Sequence, residues 1–111
     1  MTEARVVMVT VPDGNTGEQL VRTLLEERLV ACGNLIAGVR SIYRWKGEVC
    51  QDPEVIVILK TTASALSRLT ERVVALHPYD CPEVLAIPVE GGFSAYLAWI
   101  TENVSSAVPA E

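Results

Sequence analysis

The sequence predicts an α+β fold in which helices lie on one face of an antiparallel β-sheet. Three stretches repeat apolar residues at three- and four-residue spacing, which is the helical period. Four other stretches are extended and rich in β-branched residues, and two of them are separated only by a short polar turn. The predicted element order is therefore β-α-β-β-α-β-α.

The first strand and helix are separated by a turn signal. Residues 5–11 form a β-branched run that ends at Pro-Asp-Gly-Asn, residues 12–15. Residues 16–19, Thr-Gly-Glu-Gln, match a capping box, in which the first hydroxyl and the last side chain exchange hydrogen bonds with backbone amides. We therefore expect a helix that begins there and ends near Leu29.

A hairpin follows, with strands over residues 35–45 and 49–61. The second strand contains a continuous apolar run, residues 55–59, which is typical of a strand buried on both faces. Pro53 interrupts the same strand, and this favours an edge or a bulge at that position.

The second half of the chain predicts a helix, a strand and a last helix. Residues 63–76 have helical periodicity and end before Pro78, while residues 84–89 form a strand. Residues 94–104 form an added C-terminal helix, and residues 105–111 a frayed tail. Residues 1–104 are thus expected to form a single domain.

This order matches the split β-α-β layout called ferredoxin-like. An 11-residue hairpin strand spans about 36 Å at about 3.3 Å per residue, comparable with the diameter of a small domain. Such a strand overhangs its own sheet, and the sheet face opposite the helices is left bare. Overhanging edges and bare faces need a cover, so we expect a homo-oligomer built by strand pairing between subunits.

Composition excludes several classes of partner. A net charge of −5 with scattered Lys and Arg argues against a nucleic-acid partner. No apolar stretch approaches the roughly 20 residues of a membrane span. Residues 1–12 lack the layout of a signal peptide, and the odd number of three cysteines does not form a disulfide framework. A cytoplasmic protein with free thiols, no membrane partner and no nucleic-acid partner is expected.

A series of short motifs resembles the CutA divalent-cation-tolerance proteins. In the family's order, these are Ala-Cys-Gly-Asn at 31–34, Ser-Ile-Tyr-Arg-Trp-Lys-Gly at 41–47, Lys-Thr at 60–61, His-Pro-Tyr at 77–79, Pro-Glu at 82–83 and Tyr-Leu-Ala-Trp-Ile at 96–100. The resemblance extends from the first strand to about Asn103. The chain departs from the family pattern at Gly33, Ala37 and Cys81.

The resemblance implies a homotrimer similar in architecture to the PII signalling proteins, together with a link to copper and other divalent ions. It implies no catalytic reaction and no obligatory cofactor. Two functions follow from it. One is metal binding that contributes to divalent-cation tolerance. The other is a signalling or scaffold trimer that acts through a small ligand in an intersubunit cleft or through protein contacts.

The candidate metal ligands are Cys32, His77 and Glu83. A thiolate at Cys32 suits Cu(I), a soft ion that prefers sulfur; alternatively the residue is simply a small buried apolar group. The neutral imidazole of His77 can ligate a metal, or it can hydrogen-bond the last carbonyls of its helix. Glu83 is a candidate because it belongs to the family-matched turn.

The candidate cleft residues are polar and aromatic positions that match the family: Tyr43, Trp45, Lys60, Tyr79 and Trp99. Around a cleft between subunits they would accept a small anionic or aromatic ligand against the lysine. The alternative is that aromatic residues with polar tips pack at a partly wet subunit interface.

The spacing of His77 and Cys81 raises the question of a nucleophile and its base. Pro78 and Pro82 prevent the helical geometry that would place these residues on one face. Neither a phosphate-binding loop nor paired catalytic carboxylates can be recognised in the sequence. Catalysis is therefore not expected.

Overall fold

The structure is a computed structural model, and it describes residues 1–105. Its elements are β1 (Ala4–Val11), α1 (Gly14–Glu26), β2 (Cys32–Trp45), β3 (Glu48–Thr62), a short 3₁₀ turn (Ala63–Ala65), α2 (Leu66–Leu76), β4 (Leu85–Pro88) and α3 (Ser94–Asn103). Of the predicted tail, only Ser105 falls within this range, and its backbone N–H donates to the Arg28 carbonyl at 2.8 Å. Residues 106–111 lie outside the described residues.

The four strands form one sheet in the order β2-β3-β1-β4, and every neighbouring pair is antiparallel. This confirms the predicted ferredoxin-like α+β fold. In the described part of the chain, no helix has both the length and the apolar character needed to cross a membrane.

The core lies between the sheet and the two helices α1 and α2. It is formed by alternate residues of β1 and β3 and by the apolar stripes of both helices: Val7, Val9, Val11, Leu20, Val21, Leu24, Val55, Val57, Leu59, Leu69 and Val73. The two helices therefore cover one face of the sheet, as predicted. The added helix α3 packs separately through Ile100 against Ala4 and Ala65.

Gly33 allows α1 to pack directly on β2. A Cβ at this position would lie 2.7 Å from Cγ1 of Val21, so that space is already filled from the helix. A larger residue here would force one element to move. This packing accounts for one of the departures from the family pattern.

The N-terminus of α1 differs from the predicted capping box. Asp13, not Thr16, is the capping residue, and its carboxylate accepts a hydrogen bond from the Thr16 amide at 2.8 Å. This bond lowers the pKa of Asp13. The helix ends at Glu26, earlier than predicted, because Arg28 adopts a left-handed backbone conformation with φ of 60°.

The prediction that residues 55–59 are buried on both faces was wrong for the single chain. Val55, Val57 and Leu59 are buried against the helices, whereas Ile56 and Ile58 point to the other face and are only half-buried. Together with neighbours of the same orientation they form what we call the open sheet face. Its apolar members are Val6, Met8, Ile36, Ile56, Ile58, Leu85 and Ile87.

The hairpin of β2 and β3 extends well beyond the rest of the sheet. β1 pairs only with the Val55–Thr62 part of β3, and the molecule measures 43 Å along its longest axis. Pro53 pairs only with β2 and lies beyond β1, at an edge of the sheet as predicted, whereas the bulge lies on β2 between Ile36 and Val39 and includes Gly38 with φ of +79°. The hairpin therefore projects beyond β1 with little cover from its own chain.

Candidate functional site

Cys32 is the first residue of β2 and lies opposite Lys60 of β3. Both residues belong to the open sheet face. The Lys60 ammonium is 3.6 Å from the Cys32 sulfur and also donates to the Asn34 side-chain oxygen. Tyr96 of α3 is the fourth member of this group. Burial, and to a smaller extent the neighbouring Cys32, raises the pKa of its hydroxyl. We call these four residues the Cys32 cluster.

The Cys32 cluster borders a cavity of about 440 Å³. Lys60 and Tyr96 belong to both, while most of the remaining wall is apolar. The wall is formed by Ala4, Arg5, Val6, Lys60, Val89, Gly91, Gly92, Phe93, Tyr96, Leu97 and Ile100. A polar group with a positive charge thus lies at the edge of an apolar space.

A second group of polar side chains joins the projecting hairpin to the turn after α2. Tyr43 donates a hydrogen bond to the Asp52 carboxylate, and Tyr79 donates one to Glu54 at 2.6 Å. Asp52 and Glu54 are two residues apart on β3 and therefore share one face. We call these four residues the hairpin cluster.

His77 uses both ring nitrogens within its own chain. Its Nε2 is 2.7 Å from the Thr10 carbonyl oxygen, and its Nδ1 accepts the Tyr79 backbone N–H at 3.1 Å. These contacts fit the neutral ring with the proton on Nε2. Only 8% of the residue is exposed. The sequence suggested carbonyls at the end of its own helix as partners, but the carbonyl that it contacts belongs to β1.

The three predicted metal ligands occupy separate places in one chain. Cys32 lies opposite Lys60, whereas Thr10, the partner of His77, lies opposite Ile56. These positions are four residues apart along β3, which is about 13 Å. Glu83 is half-buried just before β4. Across residues 1–105, no three His, Cys, Asp or Glu side chains of one chain come together as a metal site.

The five predicted cleft residues are also divided. Lys60 belongs to the Cys32 cluster, and Trp99 stacks on Tyr96 of that cluster with ring centroids 5.4 Å apart. Both tyrosines of the predicted set belong to the hairpin cluster. Trp45 lies at the end of the hairpin, exposed, with the Lys46 ammonium 5.9 Å from its ring centre.

Sequence reasoning did not identify several partners in these clusters. Asn34 and Tyr96 surround Lys60, yet neither was predicted as a site residue. Asp52 and Glu54 are the acceptors for the two tyrosines. For Asn34 a signal existed, because strand alternation places it on the same face as Cys32.

The hairpin cluster is expected to make the stability of the protein fall in alkali. The hydrogen bond to Asp52 raises the pKa of Tyr43 to about 12, and burial followed by the bond to Glu54 raises that of Tyr79. Because both values lie above the unfolded value of about 10, the stabilisation is complete below pH 10 and is lost as the pH rises through the folded values. We expect the urea midpoint to fall between about pH 10 and 12, and to fall less in Tyr43→Phe.

Ultraviolet titration of tyrosinate absorbance measures the same effect directly. Asp52→Asn removes the negative charge beside Tyr43 and is expected to move one tyrosine midpoint down toward 10. The matched control is Glu90→Gln, which removes a carboxylate outside the cluster. Titration of all three tyrosines near 10 in the folded parent protein would contradict the assignment.

Comparison with known proteins identifies the family. Residues 5–103 match the family model described as CutA1 divalent ion tolerance protein. The chain is 48% identical over 98 residues to the divalent-cation tolerance protein CutA of Thermus thermophilus, covering 88% of this chain and 95% of that protein. It is 46% identical to the chloroplastic CutA of Arabidopsis thaliana, covering 88% of this chain and 54% of that longer protein.

Solved structures agree with the sequence matches. The solved divalent cation tolerance protein of Thermus thermophilus superposes with a TM-score of 0.90 at 46% identity, covering 92% of this chain and 99% of that one. The matched region runs from the first strand to the last helix, so it includes both clusters and the open sheet face. The chain belongs to the CutA1 divalent ion tolerance family.

Proposed function

We propose that this protein is a cytoplasmic homotrimer that binds copper or another divalent ion and contributes to divalent-cation tolerance, without catalysing a reaction. Family membership supports the link to cation tolerance. The location is checked by cell fractionation, in which recovery of the protein with a periplasmic or organelle marker would contradict it.

The open sheet face supports the assembly. Seven apolar side chains lie on it, and Ile36, Leu85 and Ile87 are each more than a third exposed in the single chain. Contiguous apolar surface of this kind marks an interaction site. The projecting hairpin adds unpaired backbone on its outer edge, which a second copy can pair with.

Cys32 carries the proposal for metal binding. Its thiol is a soft donor suited to Cu(I), and the residue lies on the side of the sheet where copies would meet. Copies of Cys32, or groups from a neighbouring chain, would complete the coordination. A metal ion that binds this sulfur has to displace the Lys60 ammonium, which now lies beside it.

His77 and Glu83 are proposed as further ligands. A metal at His77 must take a nitrogen that now contacts backbone, so this residue would bind metal only with a local rearrangement of the turn. Glu83 could bind a metal ion without breaking an existing contact, since it is half-buried and its side chain makes no hydrogen bond within residues 1–105.

Copper titration under reducing conditions tests the role of Cys32. We expect Cys32→Ser to lower the Cu(I) affinity at least about tenfold or to remove one site per chain, because a hydroxyl is a poor ligand for a soft ion. The control is Cys81→Ser, which removes an exposed thiol outside both clusters. Unchanged stoichiometry and affinity in Cys32→Ser would exclude the residue from the site.

The cavity beside Lys60 favours a second function, that of a signalling or scaffold trimer controlled by a small ligand. The mainly apolar wall of this cavity and the Lys60 ammonium at its edge suit an anionic molecule. Screening metabolites by thermal shift tests this function: a rise that Lys60→Ala abolishes supports it, and the absence of any shift contradicts it.

A further inference from the structure

The cavity formed between α3, β1 and the Gly91-Gly92-Phe93 segment has the size of a small-molecule site. Its volume of about 440 Å³ lies in the range of known ligand pockets, which is roughly 300–1,000 Å³. Val6, Leu97 and Ile100 supply aliphatic walls. Phe93 is 77% exposed in the single chain and lines the same space. A ligand with an apolar body would cover part of that ring.

Two cations line the cavity, Lys60 and Arg5, and the Arg5 guanidinium already donates to two backbone carbonyl oxygens of its own chain. Within residues 1–105, the side-chain hydrogen-bond partners of the Lys60 ammonium are the Asn34 amide oxygen and the Cys32 sulfur. The salt bridges within residues 1–105 are Arg22 with Glu18 and Arg72 with Glu27, so no described carboxylate lies within 4.0 Å of the Lys60 ammonium. An anion that enters the cavity can therefore approach this ammonium without displacing a carboxylate of residues 1–105.

A partly buried ammonium gains most from an anion that reaches it from an apolar surrounding, since the attraction is weakly screened there. Tyr96 adds a second polar group at the same edge. Its hydroxyl carries a proton at neutral pH, as a phenol ordinarily does, and can donate a hydrogen bond. The edge therefore offers a cation and a neutral donor next to an apolar wall.

We propose that this cavity binds a small organic carboxylate with an apolar body. The carboxylate accepts hydrogen bonds from the Lys60 ammonium and the Tyr96 hydroxyl, and the apolar body packs against Val6, Phe93 and Leu97. The proposal rests on the second function above, ligand control of a trimer, and names the ligand class. It does not depend on metal binding.

Phenylacetate is a suitable probe because it joins one carboxylate to one aromatic ring. Two matched molecules separate its parts: phenylacetamide keeps the ring without the charge, and acetate keeps the charge without the ring. Titrations of the full chain, freed of metal, are followed by proton–nitrogen correlation spectra. We expect phenylacetate to shift the amide signals of Phe93, Tyr96 and Leu97, and to bind at least about tenfold more tightly than either matched molecule.

Lys60→Met is expected to weaken phenylacetate binding at least about tenfold and to remove the preference over the amide, while Lys60→Arg keeps the charge and the preference. The chain has one other lysine, so Lys46→Met in the hairpin turn is the matched control and should bind like the parent.

Equal binding of phenylacetate and phenylacetamide by the parent protein would overturn the proposal, and this comparison needs no variant to fold. Equal loss in Lys46→Met would overturn it as well, because a general charge effect would then explain the preference. A Cu(I) titration of the same preparations reports on the metal function separately, so either proposal can fail alone.

Discussion

Replacing Ile36 by Asp is expected to convert the assembled protein into monomers. Ile36 lies on the open sheet face opposite Ile56, and 45% of it is exposed in the single chain. In a monomer, a carboxylate at this position would stay in water and cost little. In the proposed trimer, whose subunits would meet on the open sheet face, it would be buried, and an unpaired buried charge costs several kcal/mol per subunit. Sedimentation at micromolar concentration measures the mass of both proteins.

Val74→Asp is the matched control for this experiment. Val74 is 49% exposed, close to Ile36, but lies on α2 on the other side of the sheet. The same chemical change there should leave the trimer intact. A parent protein that sediments as a folded monomer would contradict the proposed assembly, and so would an Ile36→Asp variant that stays trimeric.

The same face explains which parts of the fold the sequence could and could not predict. The order of elements followed from periodicity, because helices and strands repeat their apolar residues at different spacing. The run of residues 55–59 was misassigned because a continuous apolar run does not say what covers each face. In the single chain only the side facing the helices is buried. The apolar character of Ile56 and Ile58 makes sense if further copies cover them.

Sequence reasoning named some members of the two clusters but neither their partners nor their arrangement. Strand alternation relates residues within one hairpin, and it places Cys32, Asn34 and Lys60 on one face. Contacts that depend on tertiary register carry no such local signal. Tyr79 reaches Glu54 across 25 residues, and His77 reaches Thr10 across 67. For this reason, His77 could be predicted from the sequence as a metal ligand, although both of its ring nitrogens contact the backbone in the structure.

His77→Ala is expected to lower the free energy of unfolding of the metal-free protein by about 2–4 kcal/mol. The change leaves a cavity where a buried ring stood, and it leaves the Thr10 carbonyl and the Tyr79 amide without their partners. Urea unfolding at one fixed protomer concentration measures the loss, because the stability of an oligomer depends on concentration.

Glu71→Ala is the control, since this residue of α2 is exposed; its loss should stay below about 1 kcal/mol. Cu(I) titration of the same variants separates the two roles of the histidine. A folded His77→Ala that is as stable as the parent but has lost copper would show a ligand with no structural role, which contradicts the bonding described above. A destabilised variant with unchanged copper binding would show that the ring holds the turn after α2 to β1, and the metal ligands would then have to be sought at Cys32 and Glu83.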